Sequence, residues 1–462
     1  MSAGRLALGT PGRRPALDPA AGEVDASRAL GVYVHVPFCS VRCPYCDFAV
    51  DTRPAIPHTA YADALVAELE ARAPWFARDG DPAAAGRNLR SIYFGGGTPS
   101  LLEPAAAARV IAAVSRLFGR APDELEVTLE ANPGEVDLGR LGEFRAAGFN
   151  RLSFGAQSFD DRELAALGRN HRAAAVAPAL VAARAVGFSN ITCDLIFGTP
   201  GQTLGDWRRS LEALLVLEPE HLSAYALTVE PGTKFANLER RGQLHRPDEG
   251  AVAEMFALGR DVLFSAGYEA YEISSFARPG FRAVHNQLYW TQGAYLGVGV
   301  SAASFRPLGD GTGLRFSNPR STETYLQRAL SGPVWPAKVE RRGAVDLENE
   351  AVWLALRTAD GVDRHQHRRR FGADVLGPLE RQVNAERCKN RGWLVVDDHQ
   401  VRLSDAGLLF ADEVATMLWC SAKGKSRKNR GDSAVPVGAG PSAEGGQGAK
   451  AGWSPPEPVG GG

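Results

Sequence analysis

At 462 residues the chain is long enough for two domains and a large buried core. Its 52 lysines and arginines against 53 acidic residues leave a net charge of −1, which argues against general electrostatic binding of nucleic acid. Six cysteines in so long a chain do not make a disulfide framework, and no run approaches the roughly 18 apolar residues of a membrane span.

Residues 1–30 are rich in Ala, Gly and Pro without any period and read as a flexible leader. Pro and Gly break the leader before an apolar signal-peptide core can form, so a cytoplasmic location is expected. From Gly31 short apolar runs alternate with longer amphipathic ones. Strands are predicted at 32–36, 90–94, 125–130, 150–154, 191–197 and 221–228, each rich in β-branched or aromatic residues. Helices are predicted between them at 59–73, 104–118, 136–147, 161–167, 173–186 and 204–217. Tyr61, Leu65 and Leu69 recur at four-residue spacing, as one buried helix face would. Strands separated by helices of this length make βαβ units and a parallel sheet, here an open or partial barrel of six units over residues 31–305.

Residues 306–344 are rich in Gly, Pro and Arg and read as a linker. The segment 345–420 has predicted helices at 346–358 and 373–390, a strand pair near 393–396 and 400–403, and a last helix opened by Ser404 as N-cap. That order resembles a winged-helix module in a smaller α+β domain, a shape from which DNA binding does not follow. Residues 421–462 are polar, rich in Gly and Pro, and read as a disordered tail. Its run Lys423, Lys425, Arg427, Lys428, Arg430 is taken as a solvated basic segment, with peripheral contact to anionic lipid headgroups as the alternative.

The chemistry-bearing residues gather at the ends of the predicted parallel strands, where ligands bind in α/β folds. After the first strand comes a loop with Cys39, Cys43 and Cys46 in C-x3-C-x2-C spacing. Three thiolates hold three corners of a 4Fe-4S cluster and leave one iron open to a small molecule. A zinc site and three structural thiols are the rival readings; a structural zinc usually has four protein ligands in paired C-x2-C units, and no second pair follows. Cys193, Cys388 and Cys420 are scattered and read as reduced packing residues. Gly95, Gly96, Gly97 and Thr98 follow the second strand, where glycines let backbone approach a ligand closely. Glu130 and Asn132 end the third strand, Gln157 follows the fourth, and Asp194 lies in the fifth. Glu130 and Asp194 sit inside apolar runs, and buried carboxylates rarely lack a partner.

The stretch GVYVHVPFCSVRCPYCDF at 31–48 resembles the cluster loop of radical S-adenosylmethionine (SAM) proteins. YFGGGTPS at 93–100, EANP at 130–133, RLSFGAQSF at 151–159, DLIFGTPGQT at 194–203 and HNQLYW at 285–290 follow in order. Together they resemble the family of oxygen-independent coproporphyrinogen III dehydrogenases and the related HemW-type heme chaperones, over about residues 30–420. The resemblance implies a partial (β/α)6 barrel carrying a 4Fe-4S cluster, SAM bound to the open iron, and an electron donor for the cluster. It implies that Tyr33 packs near the cluster and Tyr45 against adenine. Gly96, Gly97 and Thr98 would hold the methionyl amine, Glu130 would accept from ribose or the amine, and Gln157, Arg169 and Asp194 would complete the SAM site. His285, in HNxxYW, would be the heme ligand, with Tyr289, Trp290 and Tyr295 as aromatic walls; core packing is the other reading of these residues.

Within the family, dehydrogenases carry C-x3-C-x2-C-x-C, and the last position here is Phe48, which cannot ligate. With HNQLYW present, the expected function is a heme chaperone that delivers heme to apoproteins. The alternatives are oxidative decarboxylation of coproporphyrinogen III and an unrelated radical SAM reaction. A homodimer is a further candidate assembly. Two departures from the family pattern stand out: Ser275 in YEISSFA where Asn is usual, and Ala303 where a histidine is usual.

Overall fold

The computed structural model describes residues 29–77, 88–331 and 336–420. The leader through residue 28 and the tail from 421, with its basic run, lie outside the described residues. Six strands pair in sequence order, all parallel: β1 (Ala29–Val36), β2 (Asn88–Gly96), β3 (Glu126–Ala131), β4 (Arg151–Gln157), β5 (Ile191–Phe197) and β6 (His221–Ala226). Each of the six expected strands is present. A parallel neighbour needs a crossover connection, and five helical crossovers supply it, among them Pro104–Phe118 and Leu204–Leu215.

The strand register sorts the side chains by parity. Val32, Ile92 and Val127 stand side by side, as do Val34, Phe94, Leu129, Leu152 and Ile191; all are buried against the helical layer. The opposite parity is polar. Gly31, Ser91 and Glu126 form one row, Tyr33, Tyr93, Thr128 and Arg151 the next. Glu130, Ser153, Thr192 and His221 form a third, and Asp194 neighbours Ser223. Successive strand residues point to opposite faces, so the helices cover an apolar wall and the inside of the partial barrel is polar. The interior is thus lined by carboxylates, phenols and hydroxyls, most of them buried.

Beyond β6 the sheet turns antiparallel through β7 (Glu269–Ala270) and β8 (Ser275–Ala277). β9 (Ala294–Gly299) returns to lie parallel to β1 on its other side. β10 (Ala303–Pro307), β11 (Gly313–Ser317) and β12 (Lys338–Arg342) then extend that edge antiparallel. The linker expected at 306–344 is therefore corrected: it carries two of these strands and the helix Thr322–Ser331. Glycines, prolines and arginines disguised it because the last strand, KVERR, is an edge strand with no fully buried residue to set an alternation.

The buried pair Glu68–Arg72 fastens this extension to the helix His58–Arg72, with both side chains fully buried. The Glu68 carboxylate accepts from Gly299 N at 2.9 Å, Asn318 Nδ2 at 2.7 Å and Tyr325 Oη at 2.8 Å.

The C-terminal unit begins with the helix Ala344–Leu356 and contains a small sheet, β13 (Val362–Asp363), β14 (Leu394–Val396) and β15 (Gln400–Leu403), in the order β13-β15-β14. Val352, Leu356, Val375, Cys388, Val401, Val414 and Leu418 share its core. The helix expected at 373–390 is shorter, Leu379–Asn390, and is preceded by another at Arg364–Phe371. Gly372, at φ 78°, ends the first, and Asp374 holds the turn by accepting from Arg364, Arg368 and Leu376 N. Ser404 is the expected N-cap, accepting from Gly407 N, but it opens a single turn, with Ala411–Met417 as a separate helix.

Candidate functional site

Pro37 ends the run of β1, and the loop after it is tied down along its length. Cys39 N donates to Asp51 O at 3.0 Å, Asp51 N to Pro37 O at 2.7 Å, and Arg320 Nη2 to Asp47 O at 2.9 Å. Phe235 N reaches Pro44 O at 3.0 Å, and the His35 Nε2 lies 3.0 Å from Ala49 O. Cys39, Cys43 and Cys46 are half-buried free thiols whose charges bear on one another. Burial pushes the Cys39 thiol up to about 11, against the hydrogen bond from Thr98 Oγ1 at 3.6 Å. A metal would reverse that balance, since it binds the thiolate.

The glycine turn closes over this loop from β2. Gly97 N donates to Val36 O and Thr98 N to Phe38 O, at 2.8 and 2.7 Å. A Cβ on Gly97 would sit 2.7 Å from the Pro37 carbonyl, so only glycine allows the approach. Those N–H groups and the Thr98 hydroxyl are thus used within the loop, and Thr98 O accepts from Leu101 N at 3.0 Å. Glu130 stands beside it: Oε1 accepts from Tyr93 Oη at 2.7 Å and Oε2 from Gly96 N at 3.1 Å. Burial raises its carboxyl to about 7, with the neighbouring Asp194 adding to the rise.

Arg169 joins the loop to the strand ends. Its Nη1 lies 3.6 Å from Cys43 Sγ, and its Nη2 donates to Asn132 Oδ1 and to Gly155 O at 3.2 Å. Gln157 has φ 63° at a break in the β4–β5 register, an unusual backbone for a non-glycine residue. Its amide folds over Gly155, where a Cβ would meet Nε2 at 2.8 Å. Asp194 accepts from Ser153 Oγ at 3.0 Å, and burial raises its carboxyl. Tyr45 enters a small apolar cluster with Leu167, Ile196, Leu227 and Phe235. Tyr33 lies one row below, its ring stacked on Tyr93 with centroids 6.2 Å apart.

His285 is at the other end. It lies in the helix Val284–Trp290, which closes the end of the barrel where the strands begin. The side chain is 1% exposed; Nδ1 is 2.8 Å from Ser91 Oγ and Nε2 2.8 Å from Tyr289 Oη. His285 therefore stands apart from the other predicted residues: eleven of those twelve lie in the cysteine loop, in the barrel strands or at their ends, Arg169 follows the helix Asp161–Ala166, and His285 plugs the floor.

The Radical SAM superfamily model matches residues 33–214, and the HemN C-terminal domain model matches 346–410. The heme chaperone HemW of Mycobacterium tuberculosis is 37% identical, over 87% of this chain and 97% of its own length. HemW of Bacillus subtilis is 33% identical over 83% of this chain and 97% of its own. The chain belongs to the HemW family of radical SAM proteins. A bovine relative described as a mitochondrial radical SAM domain-containing protein 1 is 35% identical over 92% of this chain and 96% of its own. Among solved structures, coproporphyrinogen III oxidase (HemN) of Escherichia coli superposes with a TM-score of 0.71 at 24% identity, covering 85% of this chain and 91% of that one.

For a HemW-family chain, the donor set suits the cofactor chemistry at one end and not at the other. Three unpaired thiols in a loop fixed on both sides fit an iron–sulfur cluster, and Phe48, 57% exposed, offers no fourth ligand. The glycine-turn backbone, two half-buried carboxylates and the Arg169 fork fit a zwitterionic nucleoside. His285 does not fit an iron ligand: an axial bond needs a free imidazole nitrogen, and here both nitrogens are engaged within a sealed floor. Burial holds its ring neutral, lowering its pKa to about 3; a neutral imidazole is the metal-binding form, so the misfit lies in the two hydrogen bonds and the burial. Sequence reasoning passed over Tyr93, Arg151 and Ser153, whose signal was the polar half of each strand's alternation.

Proposed function

We propose that this HemW-family chain binds a 4Fe-4S cluster through Cys39, Cys43 and Cys46 and SAM beside it, and that it binds heme and delivers it to heme-requiring apoproteins in the cytoplasm. When bound, the cluster supplies one open iron and an electron for SAM, which calls for an external electron donor. The protein's own part is orientation. Gly96, Gly97 and Thr98 present the backbone to the methionyl end. Glu130, Gln157, Arg169 and Asp194 position the remaining polar groups, and Tyr45 and Tyr33 wall the pocket above and below. The observation that carries the chaperone reading over the dehydrogenase is Phe48, an exposed phenyl group at the position where the dehydrogenase pattern has cysteine.

Among the described residues no helix is long and apolar enough to cross a membrane. Anaerobic reconstitution, a heme titration and a coproporphyrinogen III assay on one sample test the reading. About four irons and near one heme per chain without porphyrinogen turnover support it; sustained turnover overturns it in favour of the dehydrogenase.

A further inference from the structure

We propose that His285 is a positioning residue for the SAM end of the barrel, acting through Tyr93 on Glu130, and is not an axial ligand of heme iron. The Glu126 carboxylate accepts from Val284 N and His285 N, both at 2.9 Å, and so caps the helix that carries HNQLYW. Ser91 and Tyr289 then fix the imidazole at both nitrogens. Gly31 makes room for it, since a Cβ there would stand 2.8 Å from Leu288 and 3.1 Å from the imidazole.

The fixed ring is a platform. Tyr93 stacks on it with centroids 5.1 Å apart and planes 27° from parallel, and Tyr93 Oη donates to Glu130 Oε1 at 2.7 Å. Glu130 in turn holds Gly96 N, the residue that begins the glycine turn over the cysteine loop. Imidazole, phenol, carboxylate and backbone thus run from the floor to the ligand end in three contacts. A side chain so enclosed has no route to a porphyrin iron, but it does set the height and tilt of the phenol that orients Glu130.

This rests on the reading of Glu130 as a SAM-binding carboxylate. The test measures SAM affinity of the cluster-loaded protein, from the change SAM makes in the EPR spectrum of the reduced cluster, for wild type, His285→Ala, His285→Gln and Tyr93→Phe. Tyr93→Phe removes a single hydroxyl and guards against misfolding of the histidine variant. We expect SAM to bind roughly tenfold more weakly in His285→Ala and Tyr93→Phe, the scale of one lost hydrogen bond to a carboxylate. His285→Gln, which again offers a donor and an acceptor, should recover most of the affinity.

The pH midpoint of SAM affinity gives a readout that mere destabilisation would not move. Tyr93, Gly96 N and Arg151 favour the Glu130 carboxylate and Asp194 opposes it, with Tyr33 and Tyr289 also facing it. Loss of the phenol should therefore shift the midpoint to higher pH. The Soret band of added heme should match in wild type and His285→Ala. Loss of that band with SAM affinity intact would make His285 the iron ligand and overturn the proposal. Unchanged SAM affinity and midpoint in both His285→Ala and Tyr93→Phe would also overturn it. No SAM effect in wild type would instead strike the reading of the SAM site itself, and the proposal with it.

Discussion

Arg169 Nη1 stands 3.6 Å from Cys43 Sγ while Nη2 of the same guanidinium is donated to Asn132. One side chain thus joins the proposed cluster loop to the end of β3. Arg169→Ala should leave iron binding in place, because all three thiols remain, and weaken SAM binding by roughly ten- to a hundredfold, the range for hydrogen bonds to charged groups. Arg169→Lys should recover little, since a point charge cannot serve two partners as a planar fork does. Iron content and SAM titration on the same preparations check this.

The cysteines divide into two groups by place. Cys39, Cys43 and Cys46 share the loop, whereas Cys193 and Cys388 are buried in the barrel and C-terminal cores and Cys420 lies at the end of the described C-terminal unit. Alanine at any of the first three should abolish the brown chromophore and the acid-labile sulfide. Alanine at any of the other three should leave both. Full iron loading in a triple loop variant would refute the cluster assignment.

Much of this was legible in the sequence because the barrel repeats one physical rule. Runs such as EVTLEA and ITCDLIF alternate polar and apolar residues, and parallel strands between amphipathic helices follow from the pattern. The same alternation held the polar lumen, yet only Glu130 and Asp194 stood out, because a threonine or arginine in a strand reads equally as an outward residue. Two things were not legible. The edge strand KVERR lacks a buried face, and the HNQLYW histidine takes its meaning from Ser91, Tyr93 and Glu126, which lie some 160–195 residues away in sequence.

Glu130 makes stability depend on pH. Its carboxyl stands at about 7 in the folded protein against an ordinary 4.5, with burial the largest cause. The folded state therefore keeps a proton that the unfolded chain releases between about pH 4.5 and 7, and stability from this group falls as pH rises through that window and levels off above it. Asp194, raised by burial, acts in the same direction. Glu130→Gln should relieve the cost and stabilise the protein at pH 8 by up to about 3 kcal/mol while weakening SAM binding. Urea unfolding at pH 5 and pH 8 measures it, and equal gains at both would deny the carboxyl its role.

The Glu68–Arg72 pair carries a prediction about the sheet extension. Both groups are fully buried, and removing Glu68 takes from Arg72 the carboxylate it pairs with. Glu68→Ala should cost about 3–5 kcal/mol. It also frees Gly299 N, Asn318 and Tyr325, so loss of protection in hydrogen exchange should begin in β9 and the helix Thr322–Ser331.

Phe48 marks the proposed distinction between carrier and enzyme, and its substitution is the sharpest remaining test. The phenyl group is exposed, two residues past Cys46, in a loop whose backbone is held by Arg320 at Asp47 and by His35 at Ala49. Phe48→Cys places a thiol at the rim of the loop without moving that backbone. If the missing cysteine alone separated carrier from dehydrogenase, the variant would convert coproporphyrinogen III when reduced and supplied with SAM. We expect it to remain inactive, because a thiol adds neither contacts to substrate carboxylates nor a pocket that excludes water around the reacting carbon. Iron content should stay at about four per chain, since three thiolates already hold the cluster, and heme stoichiometry should be unchanged. Product analysis for protoporphyrinogen, run beside a dehydrogenase control, decides the matter. Turnover appearing with that one substitution would mean that this barrel already contains a working porphyrinogen site and that Phe48 keeps it silent.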